Sequence, residues 1–282
     1  MKPLSHTGAT HFVQNFSSNV AVSTMGVNDY LDNNVQGATT FTEGTAHYGE
    51  LRDCLLRESE RSLLMANNCY ARSLDGLREN SAYWSLVGLY YSAFYSAKAV
   101  LGMHGCWMGG PKKWIEVIDS NPGAQKIIFR KQLYPNHAGN SGTHKITWMA
   151  FYNSMAHLTS WYASQNNSLA MYPVNSNSTW LIDTRNDYNY YPYEAFQLMS
   201  EFQSSFNPSD VPNCFGGKLQ TMLQVSKAFI CFSKDVCTQH GLVTDICSSE
   251  PTRLDWARGH ITSNQHLSLS TFAHSEYAQL EF

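Results

Sequence analysis

Between Gly49 and Arg78 the apolar positions Leu51, Leu55, Leu63, Ala66, Tyr70, Leu74 and Leu77 recur close to helical spacing. Arg52, Arg57, Glu58, Glu60, Arg61 and Arg72 take much of the remaining surface. This pattern predicts an amphipathic helix ending near Arg78. Glu79-Asn80-Ser81 interrupts it, and Asn80 or Ser81 can cap a second helix. That helix, Ala82–Met103, is nearly devoid of charge, so it must be buried on most sides or pack against a partner as well as its own core. Ser92, Ala93, Ser96 and Ala97 permit close helix contact, and Leu86, Leu89, Tyr90, Phe94 and Leu101 fill space. Gly105 and the Gly109-Gly110-Pro111 run end the segment.

Further along, short helical candidates fall at Trp114–Asp119 and Ala124–Gln132, followed by a Gly/Asn-rich loop around His137–His144. Trp148–Gln165 and Leu219–Val236 carry longer helical patterns, and a short helix is expected around Thr252–Ala257. Pro192 opposes one continuous helix across Tyr188–Phe202. A helix starting near Tyr193 is expected instead, with Phe196, Met199 and Phe202 toward the core. Residues 1–45, rich in Ser, Thr, Gly and Asn, read as an irregular arm with a short strand around Phe12–Met25. Strand alternation is otherwise sparse and no fixed-period repeat occurs. Pattern alone therefore predicts an all-α bundle with long excursions, with the bundle over 46–205 preceded by the arm and followed by a helical extension over 206–282.

Composition narrows the function classes. The chain has 282 residues, of which 15% are charged, with a formal net charge of −3; this is not a strongly basic nucleic-acid coat, although a local patch can survive it. Sixteen Tyr, fourteen Phe and seven Trp favour an ordered core over disorder. Seven cysteines are too sparse for a disulfide framework and odd in number, which points to a reducing compartment, read here as the cytoplasm. No stretch approaches membrane-spanning length. The glycosylation triplets at Asn15, Asn166 and Asn177 matter only on a secretory route, for which nothing else argues.

Candidate chemistry concentrates in Ile182–Glu194. The guanidinium of Arg185 can grip a phosphate, and Asn186 can position a sugar oxygen or fix the arginine. The competing reading pairs Arg185 with Asp183, Asp187 or Glu194. Tyr188, Tyr190, Tyr191 and Tyr193 can stack on bases, or bury their rings in the bundle. Arg130, Lys131 and His137 form a second basic group, in which His137 can transfer protons near neutral pH; an exposed basic turn is the alternative. Cys231, Cys237, His240 and Cys247 suffice in number for zinc but lack a compact two-cysteine knuckle, so no metal and no cofactor are expected. No phosphate-gripping glycine loop is present.

Two segments together resemble the HEPN superfamily of helical bundles. Tyr90–Leu101 (YYSAFYSAKAVL) is similar to that family's core helix, with Leu51–Leu77 as its antiparallel partner. Arg185-Asn186 resembles the start of the family's arginine, polar residue, spacer, histidine motif. The resemblance implies a homodimer with a composite cleft that acts on RNA, often within toxin–antitoxin or defence systems, with an antitoxin or another protein as partner. The histidine position falls on Tyr190, Tyr191 or Pro192, and Tyr191, with an ordinary pKa near 10, is a poor base at neutral pH. The resemblance therefore implies a degenerate protein that binds RNA or a protein partner. Its alternatives are a metal-independent endoribonuclease using Arg185, Asn186, Tyr191 and His137, with attack by the ribose 2′-hydroxyl, or a structural or regulatory subunit. Arg130, Lys131, Arg185, Tyr188, Tyr190 and Tyr193 would then contact RNA.

Overall fold

The apolar run from Ala82 to Met103 is helical over just those residues, and its charged neighbour is helical from Ala46 to Arg78. A computed structural model of the chain describes residues 1–16, 25–78, 81–135, 142–158, 160–161, 180–205 and 217–242. In chain order the described elements are α1 (His6–Gln14), α2 (Val27–Asn34), β1 (Thr39–Thr42), α3 (Ala46–Arg78), α4 (Ala82–Met103), β2 (Trp107–Gly110), β3 (Lys113–Asp119) and β4 (Lys126–Arg130). They continue with α5 (Thr143–Ala156), α6 (Trp180–Tyr190), α7 (Pro192–Ser205) and α8 (Gly217–His240).

The fold is mixed rather than all-α. Four strands form an antiparallel sheet in the order β1-β4-β3-β2, and the two segments read as short helices around Trp114–Asp119 and Ala124–Gln132 are its β3 and β4. Ile115, Val117, Ile118, Ile127 and Ile128 are β-branched, which costs side-chain freedom in a helix and suits a pleated strand. Ile115 lies opposite Phe129 and Val117 opposite Ile127, four buried side chains that form the cross-strand pairs on one face. Gly123, at φ +83, turns the chain between the two strands in a conformation that other residues rarely adopt. A hydrogen-bonded sheet of this kind is absent from an HEPN bundle, so the resemblance does not extend to the fold.

Near the amino terminus, Phe12 belongs to α1 rather than to a strand; its N-cap Ser5 accepts a hydrogen bond from the Gly8 amide. Residues 17–24 of the expected strand lie outside the described residues, as does the helix expected around Thr252–Ala257. The helix expected at Trp148–Gln165 begins earlier, at Thr143, and runs to Ala156.

Two compact units divide the chain. One comprises Met1–Leu63, Ser96–Ser178 and Phe232–Val243; the other comprises Leu64–Tyr95, Thr179–Cys231 and Thr244–Phe282. The first holds the sheet. Its polar centre is Gln125, which is fully buried: its side-chain amide donates to Gly8 O at 2.7 Å and accepts from the Tyr48 hydroxyl, while its backbone N–H donates to Glu43. Burial opposes ionisation of Glu43, but that amide bond and contact with His11 hold its pKa below the ordinary value. A buried amide whose oxygen and nitrogen are both bonded ties α1, the β1 turn, α3 and the start of β4 at little cost.

α3 and α4 run antiparallel and meet through glycines seated on serines. In the first unit a Cβ on Gly102 would lie 2.1 Å from Ser59 Oγ and 3.1 Å from Leu55 O. In the second, a Cβ on Gly88 would lie 2.2 Å from Ser73 Oγ, and one on Gly76 would lie 2.5 Å from Ser85 Oγ. Each serine hydroxyl donates to the carbonyl four residues earlier, within α3 for Ser59 and Ser73 and just before α4 for Ser85, so it is satisfied without reaching across. In the second unit Ser226 of α8 also donates to Leu89 O at 2.7 Å.

Candidate functional site

The second unit carries a cleft of about 650 Å³, built where the first turn of α4 meets the α6–α7 corner. The corner is made by Pro192. Its ring disfavours helical geometry at Tyr191, ending α6, while its fixed φ suits the first position of α7. Tyr191 spans the break: its N–H donates to Asp187 O, and its carbonyl accepts from the Ala195 N–H. Glu194 lies in the first turn of α7, where a carboxylate is favoured by the unpaired amides.

Four rings line this cleft: Tyr83 and Trp84 from α4, Tyr188 and Tyr190 from α6. The Tyr83 and Trp84 rings pack edge to face with centroids 4.9 Å apart. Trp84 and Tyr190 are each 65% exposed, whereas Tyr188 is buried. The Tyr83 hydroxyl donates to Asn189 Oδ1 at 3.1 Å, which orients the Asn189 amide nitrogen as a donor and the tyrosine oxygen as an acceptor at the wall. Ser81, Ala82, Pro192, Ala195 and Met199 complete the lining. The lining contains no Lys, Arg, His, Asp, Glu or Cys, so it offers shape, rings and uncharged hydrogen-bonding groups, and no side chain that ordinarily titrates near pH 7. Phe196 and Met199, expected to face the core, are instead 69% and 44% exposed on α7.

Arg185 is not part of that lining. Its guanidinium carbon sits 5.1 Å from the Tyr90 ring centroid and 5.9 Å from that of Tyr91, Nη1 donates to Asn186 Oδ1 at 3.0 Å, and Nε is buried. The arginine is thus laid on the aromatic face of α4, a packing and cation–π role. Tyr191, at the break between the helices, and Tyr193, on α7, are exposed, and Tyr193 accepts a hydrogen bond from Gln197.

Arg130 belongs to the sheet of the first unit, bonded to Glu116 at 2.8 Å and stacked over Trp114, while Lys131 is exposed just beyond β4. His137 and Cys247 lie outside the described residues. Cys231 is half-buried on α8, and Cys237 is buried with its thiol donating to Leu242 O. Among the described residues no three His, Cys, Asp or Glu side chains are placed to hold a metal ion.

A group that sequence reading did not assemble occupies the first unit. His240 lies 4.9 Å from His6 and 5.3 Å from His104, ring centroid to centroid, with His6 stacked on Trp161 at 3.4 Å. His104 donates through Nδ1 to Val100 O, and His240 Nδ1 bonds the Thr10 hydroxyl at 2.9 Å. Burial lowers the His104 pKa to about 4. Burial, followed by the His104 and His6 charges, lowers that of His240 to about 2. His6, in a segment with little periodicity, and His240, more than two hundred residues later, carry no local signal of this convergence.

No protein-family model, no curated protein and no solved structure matches the chain. With the sheet, this removes the ground for the HEPN assignment. The readings drawn from it fall as well: the degenerate RNA- or partner-binding motif, the metal-independent ribonuclease, the regulatory subunit and the toxin or defence setting.

Among the described residues no helix is long and apolar enough to cross a membrane.

Proposed function

We propose that this protein binds a small organic ligand bearing a planar ring, held in the cleft between the start of α4 and the α6–α7 corner. The observation that carries the reading is the lining: four aromatic rings around about 650 Å³, with the Tyr83–Asn189 pair as a fixed polar spot. That volume falls in the range of ligand sites, which combine apolar walls with a few oriented polar groups. Two rings left largely in solvent cost hydrophobic stabilisation that a ligand stacking on Trp84 and Tyr190 would recover. The lining favours binding over proton-transfer chemistry, since no side chain there ordinarily exchanges a proton near neutral pH. A cytoplasmic setting fits the odd cysteine count.

Benzamide offers a flat ring with an amide edge complementary to Tyr83 and Asn189. Saturation-transfer NMR with the full chain should detect its binding, and cyclohexanecarboxamide, which is not flat, should bind more weakly. Trp84→Ala should weaken benzamide by about tenfold, in line with roughly 1–1.5 kcal/mol for an aromatic pair. Equal signals from Trp84→Ala and the unaltered chain would remove the cleft as the site.

A further inference from the structure

The electrostatics of this same cleft select a sign of charge, and the inference rests on the reading of it as a ligand site. Asp183, Asp187 and Glu194 are three of the four carboxylates on the two helices that supply Tyr188, Tyr190 and Pro192. Among the described residues none of the three is in an ion pair, and the one arginine on these helices is turned onto Tyr90 and Tyr91. The last turn of α6, whose carbonyls form the negative end of that helix, lines the cleft through Asn189 and Tyr190. The opposing positive end, the start of α7, is weakened because Pro192 has no N–H and Glu194 sits in the same turn. Arg72 lines a separate cleft of about 250 Å³ that shares Trp84, and lies 4.0 Å from Asp75.

We infer that the cleft prefers an organic cation whose charge is spread over alkyl groups, a quaternary or methylated ammonium, over a neutral or anionic ligand of the same shape. Rings present a negative face to such a cation, which sheds its weakly held water at low cost, and aromatic cages recognise ligands of this class. A compact, strongly hydrated ammonium or metal ion would lose too much solvation against walls made mostly of Tyr, Trp, Ala, Pro and Met, with only Ser81 and Asn189 as other polar side chains and no carboxylate.

The test compares meta-hydroxyphenyltrimethylammonium with meta-tert-butylphenol, which share a shape and differ by one charge. Dissociation constants for the full chain are read by ligand-observed NMR or calorimetry. The cation is expected to bind about tenfold more tightly, the sum of modest contributions from two rings. Trp84→Leu, which retains apolar bulk but not the ring, should bring the two constants within about threefold of each other. The half-buried pair Asp187→Asn with Glu194→Gln, outside the cleft lining, should lower the preference without altering the neutral ligand's affinity, and leaves the ring walls intact. Binding of the phenol with no preference for the cation overturns the charge inference and leaves the ligand site standing. Binding of neither compound, together with no benzamide signal, overturns both.

Discussion

At the residue scale, His240 packs its imidazole against those of His6 and His104 and bonds the Thr10 hydroxyl, while Trp161 stacks on His6. His6 from α1 and His104, the residue just after α4, both lower its pKa, after the larger effect of burial. The unfolded chain takes up a proton on each histidine near pH 6.5, whereas the folded chain resists until about 4 at His104 and about 2 at His240. Between those limits the unfolded state holds more protons, so stability rises with pH. The contribution is therefore fully present above about pH 6.5 and declines as pH falls toward 4 and below. Calorimetry from pH 7 down to 4 should show a falling Tm, and His240→Phe, which retains a flat ring and cannot take a proton, should flatten that slope. An unchanged slope would place the pH dependence elsewhere.

At the scale of elements, the α3–α4 seam separates two kinds of helical glycine. Gly102 faces Ser59 Oγ and the Leu55 carbonyl, and a backbone oxygen at 3.1 Å from the new Cβ cannot rotate aside. Gly49, inside α3, has only the end of the Arg52 side chain 4.0 Å from such a Cβ. Gly102→Ala should thus destabilise by about 1–3 kcal/mol through overpacking. Gly49→Ala should stabilise by roughly 0.5–1 kcal/mol, because alanine loses less backbone freedom in a helix. Urea unfolding of the two variants checks both signs. These helices were legible because their periodicity runs for many turns. The sheet was not: β3 and β4 are seven and five residues long, and β1, the Thr-rich Thr39–Thr42, gains its partner only by pairing with a strand more than eighty residues later. The site divides in the same way. Tyr188, Tyr190 and Pro192 stood out as a local cluster, whereas Tyr83 and Trp84 read as core of an apolar helix until the fold set them against α6. Arg185 drew notice for its charge, yet its surroundings on Tyr90 and Tyr91 depend on residues nearly a hundred positions away.

Across the whole molecule, neither unit is continuous in sequence, and α3, α4 and α8 each give residues to both. α8 shows the consequence most directly. Its first part buries Leu219, Met222, Leu223, Val225, Phe229 and Ile230 in one unit, and its end buries Phe232, Val236, Cys237 and His240 in the other. A single continuous helix cannot lose one set of contacts without fraying toward the other, since each turn supports the next through its backbone hydrogen bonds. Burial of six large apolar side chains contributes on the order of 10 kcal/mol before entropy is counted, comparable to the net stability of a whole domain. Removing residues 206–282 should therefore abolish cooperative folding of the remaining chain, rather than leave a stable first unit. Heating the full chain should give one calorimetric transition, with circular dichroism and tryptophan fluorescence changing at the same temperature. Two separated transitions, or a truncated chain that still melts cooperatively, would show that the helices common to the two units do not couple them.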